Sequence, residues 1–451
     1  MNVVIVGAGY VGLTTGATLA YVGHEVLCID KNPAVVQRLR ERRPTFHEPG
    51  LPELLAATGP RLSASERLPE LSGEHVVILA VGTPQRDDGD ADLVFVDAAA
   101  RDIAARVAPG ARLLVVNKST VPLGSARHVR ALLERTLAER GVDGAVRVAS
   151  NPEFLAEGQA VHDSLYPDRI VIGADDAAAV ATLRELYAPI LEQTFTPPPA
   201  TPRPERYALP PLITTTPTSA ELTKYAANAF LATKISFINE FAGLAERVGA
   251  DITEVARAIG LDSRIGPKYL QAGAGWGGSC FGKDTSAILA AGAGYDYPMA
   301  IVRAAVEVNR RQRLHIVERL QEHLKVLRGA TIGLLGVAFK SQTDDIRDAP
   351  ALGVIERLLA LGATVRVHDP IALPNLKRCC TELEVDACDD PVALATGCDA
   401  LVLVTDWPEY RSLPLAELRA RMRGDLFVDG RNLLPPDEVR AAGLTYAGIG
   451  R

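Results

Sequence analysis

The sequence has 451 residues, more than one hydrophobic core usually supports, so two or three domains are expected. Hydrophobic residues make up 47% and charged residues 23%, the balance of an ordinary globular protein, and no apolar run approaches the roughly 20 residues of a membrane span. The net charge of −7 argues against a nucleic-acid or anionic-membrane partner, and we expect a cytoplasmic protein whose first strand follows no signal peptide.

The first 30 residues carry a dinucleotide-binding fingerprint. A short β-branched strand over Val3–Val6 runs into G-A-G-Y-V-G, and an apolar helical stretch then leads to a second strand that ends in Asp30. Gly7 permits the tight turn, Gly9 lets a pyrophosphate approach, and Gly12 lets the helix pack on the strand. Asp30 is expected to bind the adenosine ribose hydroxyls and to repel a 2′-phosphate, which predicts NAD and not NADP.

Further parallel strands are predicted after the fingerprint, at residues 75–81, 112–117, 146–149 and 169–172. Ligands of a doubly wound sheet lie beyond the carboxyl ends of its strands, so Thr83, Thr120 and Glu153 are candidate site residues. For the two threonines, ordinary turn and capping chemistry is the alternative. Glu153 and Glu157 share one face if a helical turn forms there, and two carboxylates at a strand end are candidates for base chemistry.

The composition changes abruptly between Thr194 and Pro217, where prolines recur. Repeated prolines forbid a helix and favour an extended connection. We interpret this stretch as a domain boundary or an exposed excursion without chemistry of its own.

Residues Ser219–Val248 predict an unusually long helix. Apolar side chains recur at three- and four-residue spacing and also occupy other faces, a pattern typical of an element that joins domains or subunits. Lys224 and Asn228 form an i, i+4 pair on it. On an otherwise apolar helix these polar groups need a buried partner, which favours a functional role over a solvated surface pair.

A glycine-rich stretch follows at Gly273–Asp284, G-A-G-W-G-G-S-C-F-G-K-D, which we predict to be neither helix nor strand. Its glycines let the backbone approach a ligand closely. Cys280 has Lys283 and Asp284 beside it in sequence, and a thiolate near a cation is the usual form of an activated cysteine nucleophile. The alternative is a buried cysteine in a glycine-rich turn.

A second α/β pattern begins after helical sequence at 303–327. Gly333-x-x-Gly336 replaces a full fingerprint, so this Rossmann-like domain is predicted to hold a nucleotide diphosphate through Lys340 and arginine charge. The chain's six cysteines lack C-x-x-C spacing, which suits a reducing compartment; we interpret Cys379, Cys380, Cys388 and Cys398 as packing residues and predict no metal site. A helix is predicted at 351–361, and strands at 330–336, 363–369, 400–405 and 425–432.

The motifs together resemble the UDP-glucose 6-dehydrogenase family, within the nucleotide-sugar dehydrogenases. They fall in the family's order over nearly the whole chain, and C-F-x-K-D resembles the UDP-glucose branch more than the GDP-mannose or UDP-N-acetylhexosamine branches. The proline-rich stretch at 195–217 is longer than in many members. The motifs are G-A-G-Y-V-G-L, S-N-P-E-F-L-A-E-G, L-T-K-Y-A-A-N-A-F-L-A, G-G-S-C-F-G-K-D, A-F-K-S-Q-T-D-D-I-R and D-G-R-N.

Pattern and resemblance together predict an α/β fold of two Rossmann-like doubly wound domains, joined by a long central helix and a small helical domain. The expected division is an NAD-binding domain at 1–195, a proline-rich connection at 196–217, a central helical domain with the cysteine loop and dimer contacts at 218–325, and a UDP-sugar-binding domain at 326–451. A homodimer, or a multiple of one, is expected.

The resemblance implies a four-electron oxidation of UDP-glucose to UDP-glucuronate that consumes two NAD and one water. Cys280 would hold the aldehyde as a thiohemiacetal and then a thioester. Lys224 and Asn228 would stabilise the oxyanion. The remaining catalytic residues would position or deprotonate water: Asp284, Thr120 and Glu153.

By the same resemblance, Arg264 would reach the substrate across a dimer interface. Residues implied in NAD binding are Gly7, Gly9, Tyr10, Val11, Gly12, Asp30, Lys31, Thr83, Thr120, Glu157, Lys283 and Arg347. Residues implied in UDP-sugar binding are Glu153, Phe154, Leu155, Lys224, Asn228, Arg264, Tyr269, Gly273, Gly277, Phe339, Lys340 and Arg431.

Two alternatives stay open. One is a dehydrogenase of another nucleotide sugar, either GDP-mannose or a UDP-N-acetylhexosamine. The other is a non-catalytic NAD-binding regulatory protein on the same scaffold. The joint presence of Cys280, Lys224, Asn228 and Asp284 weighs against that second alternative, because a decayed site would be expected to lose at least one of them.

Overall fold

The structure, a computed structural model, describes all 451 residues. Its strands are β1 (Asn2–Val6), β2 (Glu25–Ile29), β3 (Leu62–Ser65), β4 (Glu74–Leu79), β5 (Arg112–Asn117), β6 (Ala145–Ser150), β7 (Ile170–Gly173), β8 (Leu212–Thr215), β9 (Thr331–Leu335), β10 (Thr364–His368), β11 (Val385–Ala387), β12 (Ala400–Leu403), β13 (Leu426–Asp429) and β14 (Thr445–Gly448). Its α-helices are α1 (Tyr10–Tyr21), α2 (Pro33–Arg40), α3 (Leu51–Ala57), α4 (Val94–Arg106), α5 (Ser125–Arg140), α6 (Ala160–Leu165), α7 (Ala177–Leu191), α8 (Pro217–Val248), α9 (Ile252–Gly260), α10 (Gly278–Ala293), α11 (Ala300–Leu324), α12 (Pro350–Ala360), α13 (Leu373–Cys379), α14 (Pro391–Ala395), α15 (Leu415–Arg421) and α16 (Pro436–Ala441).

The chain divides into two compact units. Unit 1 comprises Met1–Ala227 and Ser286–Asp296, and unit 2 comprises Asn228–Thr285 and Tyr297–Arg451. Two of the three boundaries therefore fall inside α8 and α10 and the third between α10 and α11, and none falls in the proline-rich stretch. The predicted central and C-terminal segments lie largely within one compact unit, so the finer division into separate domains stays a prediction.

Unit 1 is built on an eight-stranded sheet in the order β3-β2-β1-β4-β5-β6-β7-β8. Alternate residues of β1 enter different cores: Val3 and Ile5 pack in one buried cluster and Val4 in another. Successive side chains of a strand point to opposite faces, so both faces of this sheet are covered, as in a doubly wound fold. The strand predictions over 75–81, 112–117 and 146–149 are confirmed to within a few residues.

One pairing differs from the expectation that all these strands run parallel. Strand β7 pairs antiparallel with β6, at Ser150 opposite Gly173. The connection between them contains only α6, a helix of six residues. Such a helix rises about 9 Å, too little to carry the chain back along a strand of about 20 Å for a parallel crossover.

The proline-rich stretch holds no unit boundary, and most of its residues are exposed, as predicted for an excursion, but hydrogen bonds tie it to unit 1. The Tyr166 hydroxyl donates to the Thr201 carbonyl at 2.9 Å, and the Tyr207 hydroxyl donates to the Pro167 carbonyl at 2.8 Å. The segment ends in β8, which joins the sheet edge parallel to β7. Proline-rich sequence is compatible with this position because an edge strand leaves one side of its backbone unpaired.

Unit 2 is built on a six-stranded, all-parallel sheet in the order β11-β10-β9-β12-β13-β14. Its core is one continuous cluster that includes Ile238 from α8, Ile316 from α11 and Val354 from α12. The predicted strands at 330–336, 363–369, 400–405 and 425–432 all form, and β11 and β14 extend the sheet at its two edges. The predicted α/β class with two Rossmann-like sheets is confirmed.

Helix α8 is 32 residues long, as its periodicity predicts, but it buries a different face from the expected one. The apolar stripe that marks the helix in the sequence is exposed in the single chain, including Phe230, Phe237 and Val248. The buried face carries small and polar residues, among them Lys224 and Asn228, together with Tyr225 and Ile238. The chain's own packing therefore buries the polar residues of this helix and leaves most of its large apolar residues exposed. No helix of the chain combines the length and apolar character that crossing a membrane requires.

Candidate active site

The glycine fingerprint of unit 1 forms an open cradle at the start of α1. Gly7 has φ of 97°, and a Cβ there would lie 2.7 Å from the Ala80 carbonyl oxygen. A Cβ on Gly12 would lie 1.8 Å from the Gly7 oxygen, whereas one on Gly9 would meet no atom within 4 Å. Helix α1 begins directly after Gly9, and no side chain caps its N-terminal N–H groups. This geometry fits a dinucleotide pyrophosphate.

Asp30 follows β2 and is fixed beside the glycine turn. Its Oδ2 accepts the Ala8 N–H at 3.0 Å, and its Oδ1 accepts the Asn32 N–H at 2.9 Å. A carboxylate has about four acceptor sites, so this one keeps capacity for ribose hydroxyls. Lys31 points elsewhere, since its ammonium lies 3.4 Å from the exposed Asp102 carboxylate.

The carboxyl ends of β4, β5 and β6 are tied together by side chains. The Thr83 hydroxyl donates to the Thr120 carbonyl at 2.8 Å, which links the loops after β4 and β5. The Lys118 ammonium donates to the Asn151 side chain at 3.0 Å, which links the loops after β5 and β6. The candidate threonines and the connection that carries Glu153 therefore lie along one edge of the sheet, as predicted.

Lys224 finds its buried partner in Glu153. The two charged groups are 2.8 Å apart, and their side chains are only 5% and 7% exposed. The other Glu153 oxygen accepts the Leu155 N–H at 2.8 Å, and the Phe154 ring lies between the Arg169 guanidinium at 3.8 Å and the Lys224 ammonium at 5.7 Å. Removing one partner of a buried ion pair typically costs about 3–5 kcal/mol, so the pair strongly fixes this connection.

The helical turn predicted to align Glu153 with Glu157 does not form. Residues 151–156 have no regular secondary structure, and both carboxylates are buried in an irregular loop. Side-chain contacts determine the conformation of the loop instead, because Asn151 binds β7 and Glu153 binds α8.

A small cavity in unit 1 adjoins this ion pair, and Asn117 at the end of β5 is buried on its wall with neither amide atom hydrogen-bonded. Glu221, one turn before Lys224 on α8, accepts the N–H groups of Gly124 and Ala126 at 2.6 and 2.9 Å. A buried amide without a hydrogen bond on the wall of a cavity is a place suited to a small polar ligand such as water. The cavity is lined by Asn117, Ser119, Thr120, Val121, Ser150, Pro152, Glu221 and Lys224.

In unit 2 the cysteine lies on a helix, contrary to the prediction that all of Gly273–Asp284 is loop. Only the first part is loop, and α10 starts at Gly278. Gly275 and Gly278 have φ of 95° and 86°, so the glycines make the left-handed turns that precede the helix. Cys280 is exposed in the first helical turn, with its sulfur 3.6 Å from the Ser279 hydroxyl oxygen. The alternative of a buried packing cysteine is therefore wrong.

Asp284 lies one turn after Cys280 on α10 and is only 1% exposed. Its Oδ2 accepts from the Asn228 amide at 2.6 Å, and its Oδ1 lies 2.6 Å from the Lys283 ammonium. Residues four apart on a helix share a face, so the thiol and this carboxylate lie on the same side of α10. Unit 2 therefore brings together Cys280, Asp284, Asn228 and Lys283.

Three polar residues of α11 hold the loop that leads to the cysteine, and sequence reasoning missed all of them. Asn309 accepts the Trp276 N–H at 2.8 Å and donates to the Trp276 carbonyl at 2.9 Å. Gln312 donates to the Gly273 carbonyl and Arg313 to the Trp276 carbonyl, both at 2.8 Å. The available signal was their spacing, since N-x-x-Q-R places all three on one stripe of a helix.

Most of the predicted UDP-sugar residues of unit 2 lie around this same loop. Arg431 donates to the Gly275 carbonyl at 3.2 Å and to the Val404 carbonyl at 2.7 Å. A Cβ on Gly273 would lie 2.6 Å from the Gly430 oxygen, and one on Gly278 would lie 2.6 Å from the Phe339 ring. At both positions a neighbouring backbone oxygen or ring comes so close that a residue with a Cβ would collide with it. A Cβ on Gly277 would lie 2.2 Å from the Asp348 oxygen, and the Lys340 ammonium lies 5.9 Å from the Phe339 ring.

Two predicted arginines pair locally. Arg264 is 87% exposed and binds Asp262, and its hydrogen bond lowers the pKa of that carboxyl. Arg347 binds Asp345 through both ends of its guanidinium, with Nε 2.9 Å from Oδ1. Tyr269 stands in the left-handed region, with φ of 65°. The single chain does not by itself explain a substrate role for Arg264.

Comparison with known proteins now assigns the family. Models of the UDP-glucose/GDP-mannose dehydrogenase family match the chain in three parts: the NAD binding domain at residues 1–191, the central domain at 218–311 and the UDP binding domain at 333–436. The chain belongs to this family. As a member of the UDP-glucose/GDP-mannose dehydrogenase family it is an NAD-dependent oxidoreductase, and the resemblance found in its motifs is confirmed.

Several members of the family are similar over their whole length. UDP-glucose 6-dehydrogenase of Pseudomonas aeruginosa is 43% identical, with 100% of this chain and 98% of the relative covered. The enzyme of that name from Bacillus subtilis is 40% identical, with 100% and 93% covered. The solved UDP-glucose dehydrogenase of the archaeon Pyrobaculum islandicum has a TM-score of 0.86 at 39% identity, with 100% of this chain and 97% of that chain covered.

Proposed function

We propose that this member of the UDP-glucose/GDP-mannose dehydrogenase family oxidises UDP-glucose to UDP-glucuronate. The relatives named UDP-glucose 6-dehydrogenase support this substrate because their similarity extends over the whole chain. The observation that carries the proposal is the position of Cys280, which is exposed in the first turn of α10 with Asp284 on the same face. A covalent thioester is what separates a four-electron oxidation from a simple alcohol oxidation.

The proposed cofactor residues fit NAD without a 2′-phosphate. The open space over Gly9 would receive the pyrophosphate, and the free acceptor sites of Asp30 would receive the ribose hydroxyls. When bound, NAD accepts one hydride in each of the two oxidation steps. Thr83, Thr120 and Glu157 lie at the strand ends where a doubly wound fold holds its cofactor.

Cys280 carries the proposed covalent chemistry. Its thiolate adds to the C6 aldehyde to give a thiohemiacetal, and the second oxidation gives a thioester. Water then attacks the thioester carbonyl, which releases the carboxylate and regenerates the thiolate. The N-terminal turn of a helix carries partial positive charge and favours an anion, so this position suits a thiolate.

The buried polar residues of α8 take the electrostatic part of the mechanism. Lys224 and Asn228 lie one turn apart and would donate hydrogen bonds to the oxyanion at C6 in each tetrahedral state. Glu153 holds the Lys224 ammonium, and Asp284 holds the Asn228 amide, so both donors are oriented before the reaction. Asp284, Thr120 and Glu153 are the proposed groups that position or deprotonate the hydrolytic water.

The stoichiometry tests this mechanism. Each UDP-glucose is expected to yield two NADH, and no free aldehyde should be trapped by semicarbazide, because the aldehyde stays bound to Cys280. The measurement is NADH absorbance at limiting UDP-glucose, with GDP-mannose and UDP-N-acetylmannosamine offered side by side. One NADH per sugar with released aldehyde would contradict the thioester mechanism. Faster turnover of another nucleotide sugar would show that UDP-glucose is not the preferred substrate.

We further infer a homodimer, or a multiple of one, formed through the exposed apolar stripe of α8. Phe230 is 65% exposed and Val248 is 67% exposed, and the Phe237 and Phe241 rings, with centroids 4.7 Å apart, both stay exposed. A contiguous apolar stripe of this kind marks a protein contact. Light scattering on the purified protein is expected to give at least twice the mass of the chain, 48.0 kDa. A fully active monomer would contradict the inference.

We infer that the enzyme works in the cytoplasm, because the spacing and number of its six cysteines are not those of a disulfide scaffold, which suits a reducing compartment.

A further inference from the structure

Glu48 lies outside every motif used so far, yet its carboxylate is one of the most densely bonded in unit 1. The residue is only 2% exposed. Its Oε2 accepts from the Tyr10 hydroxyl and from the Gly158 N–H at 2.7 Å, and its Oε1 accepts from the Ala160 N–H at 2.7 Å. Burial raises the pKa of Glu48, and these donors offset part of that rise by stabilising the ionised form.

The three donors belong to two parts of the proposed cofactor site. Tyr10 is the first residue of α1, directly after Gly9 of the fingerprint. Gly158 and Ala160 follow Glu157 in the connection after β6, and the Tyr10 hydroxyl oxygen itself accepts the Gly158 N–H at 2.9 Å. One buried carboxylate thus joins the start of the fingerprint helix to the loop that carries Glu157.

The position of Glu48 is itself fixed from two sides. The Phe46 ring stacks on the Tyr10 ring with centroids 4.3 Å apart. Gly50 has φ of 78°, and a Cβ there would lie 2.6 Å from the Thr201 hydroxyl oxygen. The proline-rich stretch therefore packs closely against the segment that carries Glu48, and this contact helps to fix the position of Glu48.

Tyr10 keeps its proton in this arrangement. Burial raises the pKa of Tyr10, and the neighbouring Glu48 charge raises it further. The hydroxyl is thus a donor to Glu48 and an acceptor from Gly158, and its orientation is determined by both. A deprotonated or reoriented Tyr10 would break the connection between the two elements.

We propose that Glu48 is a positioning residue for the cofactor, which aligns Tyr10 and the Glu157 loop so that both are in place when NAD binds. It does not touch the reacting atoms. The proposal rests on the NAD-dependent function proposed above, but it concerns binding of the dinucleotide and not the fate of the sugar. Cofactor affinity should therefore respond to Glu48 more strongly than the chemical step does.

The test is Glu48→Gln, which keeps the size of the side chain and replaces one acceptor oxygen with an NH₂ donor. The new amide N–H would then face one of the groups that donate to Glu48 in the parent. At least one hydrogen bond to a charged carboxylate would be lost. The dissociation constant of NADH, measured by its fluorescence without sugar, is expected to rise roughly 10-fold. KM for NAD should rise by a similar factor, and kcat at saturating NAD should change only a few-fold.

Two further variants keep the result interpretable. Tyr10→Phe removes the shared hydroxyl and is also expected to raise the dissociation constant of NADH. In the double variant, the dissociation constant should rise by less than the product of the two single-variant factors, because the two side chains act together. Glu53→Gln changes an exposed carboxylate on α3 and should leave NADH affinity unchanged. If Glu48→Gln is too unstable to purify, Glu48→Asp, which keeps the charge but shortens the side chain, replaces it in the test, because Tyr10 is itself an implied NAD-binding residue.

NADH affinity within two-fold of the parent in both Glu48→Gln and Tyr10→Phe would overturn the proposal. A loss of melting temperature in Glu48→Gln with unchanged NADH affinity would reduce Glu48 to a stabilising residue, which also overturns it. Because NADH binding is measured without sugar, failure of the parent to oxidise UDP-glucose would count against the proposed function alone.

Discussion

Replacing Cys280 with serine is expected to lower steady-state turnover roughly 1,000-fold or more while leaving NADH binding intact. The substitution keeps the side-chain size, but a hydroxyl hardly ionises near neutrality, whereas a thiol has an unperturbed pKa of about 8.5. If an ester still forms, it should hydrolyse slowly, because an alkoxide leaves less readily than a thiolate. Mass spectrometry of the denatured protein should then detect added sugar-nucleotide mass on the peptide that contains residue 280.

A matched control is available on unit 2. Cys379 is also exposed, so its interpretation as a packing residue is wrong, and because it has no part in the proposed chemistry Cys379→Ser should turn over at the parent rate. If Cys280→Ser also turns over within a few-fold of the parent, the covalent mechanism must be abandoned, whatever the adduct analysis finds.

Asp284→Asn is expected to reduce kcat by about 10²–10⁴-fold. The variant keeps the shape of the side chain but removes the charge that faces the Lys283 ammonium and places an amide nitrogen against a donor. The Asn228 amide would lose its fixed acceptor at 2.6 Å, so one proposed oxyanion donor would no longer be oriented. The measurement is kcat and KM for UDP-glucose under saturating NAD, together with NADH affinity.

In Asp284→Asn, kcat should fall by a larger factor than NADH affinity, because Asp284 orients the proposed oxyanion donor Asn228, whereas its link to the implied NAD-binding residues is its ion pair with Lys283. Asp437→Asn is the control, because the Asp437 side chain is 98% exposed and its partner is the surface residue Arg440. Equal kcat values for the two variants would remove Asp284 from the catalytic set.

Sequence patterns predicted the parts of the fold that local chemistry determines. The run over Val3–Val6 and the glycines that follow specify a strand, a turn and a helix start through backbone sterics alone, and the structure has all three. The length of α8 followed from its periodicity. Lys224 was expected to have a buried partner because of the cost of burying an ammonium, and Glu153 lies 2.8 Å from it.

The parts that were missed depend on contacts between distant residues. Glycines at 275, 277 and 278 suggested a loop through to Asp284, but a helix can start beside glycine when its later turns pack well. The prolines before Pro217 suggested a linker, yet tyrosines 166 and 207 bind that segment to unit 1. Asn309 and Glu48 belong to no recognised motif, and their hydrogen-bond partners are seen only in the folded chain.

Two unit boundaries lie inside α8 and α10, so the two units are not synthesised one after the other. This affects the order in which their chain segments emerge from the ribosome. All strands of the first sheet have been made by Thr215, but unit 1 takes its last segment from Ser286–Asp296. Domains generally fold as units during synthesis, N-terminal first. The N-terminal unit therefore gains its last segment only when residue 296 has emerged, and Cys280 leaves the ribosome before the chain of either unit is complete.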